Sequence, residues 1–119
     1  MKLDLGMYIR TRKGKIAKII KAKREYPSPN VYTYVWELDD KTSISMSTSK
    51  IVKYSYNIID LIEVGDYVDG DLVGDIRKYK NGNVESIEVG ELSVTVKNKD
   101  IKSIVTKEQF ESMAYKVVE

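Results

Sequence analysis

The 119-residue sequence has no cysteine and no histidine, and only two prolines, one tryptophan and one phenylalanine. Without Cys there is no disulfide and no thiolate metal site. Without His, the side chain best suited to proton transfer near neutral pH is missing, and so is the commonest metal ligand. Ser-His and Cys-His nucleophile pairs are excluded, as are zinc sites built on His or Cys. Carboxylate, Lys, Arg and Tyr chemistry remains, with no arrangement of acid and base that marks a catalyst. A non-catalytic protein without a cofactor is therefore expected. There is no apolar run of about 18 residues, so no membrane partner is expected. The opening Met1-Lys2-Leu3-Asp4 has no apolar signal core, which points to the cytoplasm.

What the chain does have is a repeated phrase. Leu3-Asp4-Leu5-Gly6-Met7-Tyr8-Ile9 and Ile62-Glu63-Val64-Gly65-Asp66-Tyr67-Val68 share one order: aliphatic, acid, aliphatic, Gly, any residue, Tyr, aliphatic. A turn and an apolar strand follow each copy, Ile16 to Ile20 and Leu72 to Ile76. The spacing predicts two related half-units, 1–61 and 62–119. A unit of about 60 residues buries only ~60% of its unfolded surface, so the halves should share a core and pack as one domain.

Charge is unevenly placed. Residues 1–24 hold nine basic side chains against Asp4 alone, a net +8, and the remainder carries a net −6. A basic block attracts phosphate, nucleic acid or an acidic protein face. It can equally dock on the acidic half of its own chain or of a second subunit.

Short alternating segments separated by turns run through the chain. Met7 to Arg12, Ile16 to Ala22, Val31 to Leu38 and Thr42 to Ile51 read as strands, with Tyr26 to Asn30 a proline loop. Ile44, Met46 and Thr48 should point inward, and Ser43, Ser45, Ser47 and Ser49 outward. Ser55 is placed to cap a short helical turn through Ile62. Asn81-Gly82 marks a hairpin. Leu92, Val94 and Val96 should be buried, alternating with exposed Ser93, Thr95 and Lys97. Thr106 and Gln109 form a capping box. The helix they open carries Phe110, Met113, Ala114 and Val117 as one apolar stripe, expected to pack on the core or on a second subunit. The fold class is thus mostly β: two tandem SH3-like small-barrel half-units with a short C-terminal helix, packed as one unit.

Three stretches carry a resemblance: Gly6 to Thr11 continuing into Gly14 to Ile19, Ser55 to Val68, and Ile101 to Phe110. Together they resemble small accessory proteins of phages and prophages of low-GC Gram-positive bacteria. The resemblance implies a role in the cytoplasm of an infected host cell, and counter-defence is common among such proteins.

The candidate binding residues are Arg10, Arg12, Lys18, Arg24, Tyr32, Tyr34 and Trp36. Tyr32, Tyr34 and Trp36 alternate on one strand face, and a hairpin would set them beside the basic block. Stacking for a base and charge for a phosphate are what a nucleotide needs. The same aromatic face can instead be core. The leading expectation is a homo-oligomeric counter-defence protein that sequesters a small anionic nucleotide immune signal. The alternatives are contact inhibition of a host defence protein and weak nucleic-acid binding. Asp66, Asp69, Asp71 and Asp75 offer oxygen ligands, but their spacing is not that of a calcium loop, and they are expected to be solvated turn acids.

Overall fold

The computed structural model describes residues 3–28, 31–45 and 50–114, and for 25–28 and 31–33 the backbone alone. The protein is mostly β, with two five-stranded antiparallel sheets and one short C-terminal helix. The first sheet contains β1 (Tyr8–Thr11), β2 (Ile16–Ser28), β3 (Val31–Leu38), β4 (Ser43–Ser45) and β5 (Ile51–Ser55), in the order β4-β3-β2-β1-β5. A 3-10 turn, Ile58–Leu61, leads into the second. There β6 (Tyr67–Val68), β7 (Asp71–Lys78), β8 (Val84–Val89), β9 (Val94–Val96) and β10 (Ile104–Val105) lie in the order β10-β6-β7-β8-β9. In both sheets the fifth strand returns to lie outside the first. Helix α1 (Lys107–Met113) follows, and Thr106 and Gln109 do make the capping box.

The two repeated phrases take the same local path. Gly6 and Gly65 have φ of +83° and +98°, a conformation open to glycine because it has no Cβ. The Gly6 amide donates to the Ile19 carbonyl at 2.8 Å, and the Ile19 amide donates back to Met7 at 2.8 Å. In the second copy the Gly65 amide donates to Val73 at 3.0 Å, and Val73 donates back to Asp66 at 2.8 Å. Both spans are strand, turn, strand.

The apolar side chains do not merge into one core. One cluster is Ile9, Ala17, Ile19, Leu38 and Ile51, within the first sheet. The other joins Ile59 and Ile62 to Val68, Val73, Val84, Ile87 and Val89 of the second. Among the described residues, the expected shared core is thus two clusters. The link residues serve the second, and charged groups occupy the space between them.

Several local expectations need correcting. The strand expected over Thr42 to Ile51 is two strands with different partners, β4 on β3 and β5 on β1. Ile44 is half-buried between exposed Ser43 and Ser45, as the alternation requires, while residues 46–49 lie outside the described residues. The proline loop is largely strand, because β2 runs through Pro27 to Ser28. Pairing is irregular between Glu25 and Ser28, and here the β2–β3 ribbon extends beyond the ends of β1 and β4. A missing amide is tolerated at such a margin. Leu92 and Val94 are 88% and 54% exposed rather than buried. Leu92 falls in a turn, and β9 is a three-residue strand at the sheet edge, of which only Val96 packs against the second cluster. Phe110 and Met113 are also exposed, Phe110 stacking on Tyr67 at 5.0 Å between ring centres, and Val117 lies outside the described residues. No helix among the described residues is long and apolar enough to cross a membrane.

Candidate functional site

The candidate residues of the basic block do not meet in one place. Arg10 alternates with the core residue Ile9 on β1, and its side chain is fully buried. Its guanidinium makes a fork on Asp66, Nη1 to Oδ2 at 2.5 Å and Nη2 to Oδ1 at 2.9 Å. Nη1 also donates to the Leu61 carbonyl at 2.9 Å and Nη2 to Glu108 at 2.7 Å. Arg10 is therefore spent inside the fold, and this corrects its expected role as a phosphate ligand.

Arg12 sits exposed in the β1–β2 turn. Lys18 lies over the Tyr8 ring at 5.6 Å. Arg24 covers the Tyr34 ring at 5.4 Å and donates from Nε to its hydroxyl at 3.2 Å. Lys18 and Arg24 are six residues apart on β2, about 20 Å along a strand. Trp36 is half-buried against the first cluster, and its indole N–H is buried without an acceptor among the described residues. The side chain of Tyr32 lies outside the described residues. Elsewhere in the block, Lys15 pairs with Asp40 at 2.6 Å. Hydrogen bonds from Lys15 and then Thr42 hold the Asp40 carboxyl down to about 2.

The Arg10–Asp66 pair is the centre of a clasp. Asp66 is fully buried, so it is no solvated turn acid. Besides Arg10 it accepts the Glu63 amide at 2.7 Å and the Lys107 amide, at the start of α1, at 2.9 Å. Glu63 receives Lys107 Nζ at 2.7 Å, Lys53 Nζ at 3.3 Å and Arg10 Nε at 3.5 Å. Buried Thr106 donates from Oγ1 to the Gly14 carbonyl at 2.7 Å. Three cations (Arg10, Lys53, Lys107) face three acids (Glu63, Asp66, Glu108), so the cluster is neutral. Burial alone would lower the Arg10 pKa, but the Asp66 hydrogen bond and the three acids outweigh it and raise it. Burial would likewise raise Glu63, yet Lys107, Arg10 and Lys53 pull it below its ordinary value. Asp69, Asp71 and Asp75 are exposed, as expected of solvated acids, and Asp69 also accepts the amides of Lys102 and Ser103 at 3.0 and 2.7 Å, tying the β6–β7 turn to the segment before β10. The described residues contain no cluster of three or more acids that could hold a metal ion.

Beside the clasp a cleft of about 610 Å³ opens between the two sheets. One wall is β5, through Lys53, Tyr54 and Ser55; the other is the β7–β8 hairpin, through Ile76, Lys78 and Asn83. The floor runs from Asp60 to Val64. Asp60 is engaged on both oxygens, by Ser55 Oγ at 2.6 Å and the Val84 amide at 2.8 Å. Ser55 also accepts the Asn57 amide at 3.1 Å, so it braces the 3-10 turn from outside while Asn57 takes the cap position. Lys78 is exposed and has no acid partner among the described residues. Val52, Tyr54, Tyr56 and Val64 are 49%, 40%, 54% and 53% exposed. None of the residues expected to bind a ligand lines this cleft. A sequence signal did exist for its wall: Val52 and Tyr54 alternate with Lys53 and Ser55, an apolar outer row on the strand that supplies Tyr54 to the cleft.

Comparison with protein-family models, with curated proteins and with solved structures found no match.

Proposed function

We propose that this is a non-catalytic binding protein that acts by contact, occluding a host defence protein in the cytoplasm of a phage-infected cell. The observation that carries the contact reading is the inter-sheet cleft, lined by exposed Tyr54 and Val64, with exposed Val52 beside it on the same face of β5 as Tyr54. Apolar side chains gathered around an open, mixed-charge groove suit a protein partner better than a lone phosphate. The infected-cell setting rests on the resemblance of the three framework stretches.

A second reading keeps the small anionic ligand but moves it. Lys78 and Asn83 reach the cleft beside the Tyr54 ring, so charge, an amide and a stacking surface stand together there as a nucleotide requires. The fold that carries either reading we take to be two tandem SH3-like units. Support for this comes from the repeated strand order and the matching glycine turns.

Native mass spectrometry after expression in a host with active defences separates the readings, because it reports oligomeric state, bound protein and bound small molecule together. The contact reading expects one host protein in stoichiometric amount, lost on Tyr54→Ala in a variant that keeps the parent's circular dichroism. A retained nucleotide with no protein would replace it with the second reading.

A further inference from the structure

β5 ends the first sheet on one side, and among the described residues no strand pairs with its outer edge. On the opposite wall, β7 pairs with β6 only at Asp71 and Leu72, so its later half has a strand neighbour on the β8 side alone. An open row of amides and carbonyls is a template for another extended chain. We propose that the cleft receives an extended segment of the partner protein, which adds to β5 as an antiparallel or parallel sixth strand. The proposal rests on the contact reading and specifies how that contact is made.

The faces of β5 set the pattern such a segment needs. Ile51, Lys53 and Ser55 point inward, while Val52 and Tyr54 are exposed on the outer face. Residues directly opposite on neighbouring strands share a face. A segment paired with β5 therefore places one set of side chains beside Val52 and Tyr54, where β-branched or aromatic residues gain most. The alternate set lies on the Lys53 face, and Lys78 stands on the opposite wall of the same cleft. The acids already there are engaged, Glu63 by three cations and Asp60 by Ser55 and the Val84 amide. Lys78 is left to receive an acid from outside. The fitting segment alternates apolar and acidic residues. β5 offers five residues, about 17 Å of edge.

A second copy of the chain fits less well. Antiparallel self-pairing centred on β5 sets Lys53 against Lys53, and like charges directly opposite are destabilising. A short edge strand carrying an inward Lys is a known guard against self-association. That guard does not act against an acidic strand.

The probe is a capped heptapeptide, Thr-Val-Glu-Val-Glu-Val-Thr, titrated into the full chain by calorimetry, with amide hydrogen exchange followed along β5. The expected result is saturable binding with exchange at Val52 to Ser55 slowed about tenfold or more. A peptide with proline at its central position should lose about tenfold in affinity, since it cannot complete the ladder. Lys78→Glu should weaken the peptide about tenfold, and a peptide with Lys for Glu should restore it. No binding at about 1 mM peptide overturns the proposal, as does binding that leaves β5 exchange unchanged or binding indifferent to proline. Concentration-dependent β5 protection without peptide overturns it in favour of a second copy. A captured host protein that protects a surface other than β5 would sink strand addition while leaving the contact reading standing.

Discussion

The clasp and the cleft lie side by side between the same two sheets and share Glu63, yet they differ in what they leave open. In the clasp Asp66 receives four donors, and Arg10 is held by three acids and a carbonyl. In the cleft, among the described residues, Lys78 has no acid partner and β5 has no strand on its outer edge. Charge alone does not mark a binding site. A buried charge cluster whose groups are engaged with one another, Arg10 Nε alone keeping only its 3.5 Å ion pair to Glu63, has little capacity for a ligand, whereas an exposed strand edge facing an exposed cation has some to spare. The comparison also explains why two separate apolar clusters hold together as they do: Arg10 of the first sheet is fixed to the 3-10 link, to the turn before β6 and to α1 at once.

The sharpest way to break this view is to remove Asp66. Asp66→Ala leaves a buried guanidinium with half its partners and should cost about 3–5 kcal/mol. Against a total stability of about 5–15 kcal/mol, that is a large share of what holds the fold. Urea unfolding of the variant measures this; a loss below about 1 kcal/mol would show that the clasp is not structural. Next in size is Gly14→Ala. Gly14 has φ +85°, and a Cβ there would stand 2.2 Å from Thr106 Oγ1. Strain in this backbone region alone costs about 1–3 kcal/mol. The clash should also break the Thr106 bond that seats α1, so the capping-box amides should exchange faster.

The parts of this fold that were legible in the sequence are the local ones. The Gly6 and Gly65 phrases, the Asn81-Gly82 hairpin with Gly82 at φ +90°, and the Thr106–Gln109 capping box each depend on residues within a few positions of one another. The Arg10–Asp66 pair spans 56 positions, and only folding brings it together. A faint sign existed: where the first copy of the phrase has the apolar Met7, the second has Asp66, an acid between Gly65 and Tyr67. The basic block misled because nearness in sequence was read as nearness in space; along an extended β2 its members spread over tens of ångströms. The free edge of β5 could not be read at all, since edge status is a property of sheet order rather than of any strand's own pattern.

A smaller effect follows from Glu63. Its folded-state pKa lies below the ordinary 4.5. A group depressed in this way stabilises the fold fully above its unfolded value, and the contribution drains as pH falls from there through the folded value. Unfolding midpoints measured from pH 6 to pH 3 should therefore fall with acid, and Glu63→Gln should flatten that limb while lowering stability near neutral pH. An unchanged acid limb would mean that the three cations do not hold Glu63 in solution as they do here.

The smallest expected effect tests edge against centre within one sheet. Val89 and Val94 are direct partners across β8 and β9, so their side chains share a face. Val89 is 4% exposed and Val94 54%. Removing two buried methyl groups at Val89 should cost about 1–3 kcal/mol, from lost transfer energy and the cavity left behind. Val94→Ala removes the same two methyl groups from a margin open to water, and should shift the unfolding free energy by no more than about 0.5 kcal/mol. Equal losses at the two positions would show that something covers β9 in solution, a second copy being the simplest cover. In that event the loss at Val94 should grow with protein concentration, because an interface stabilises by mass action and a core does not.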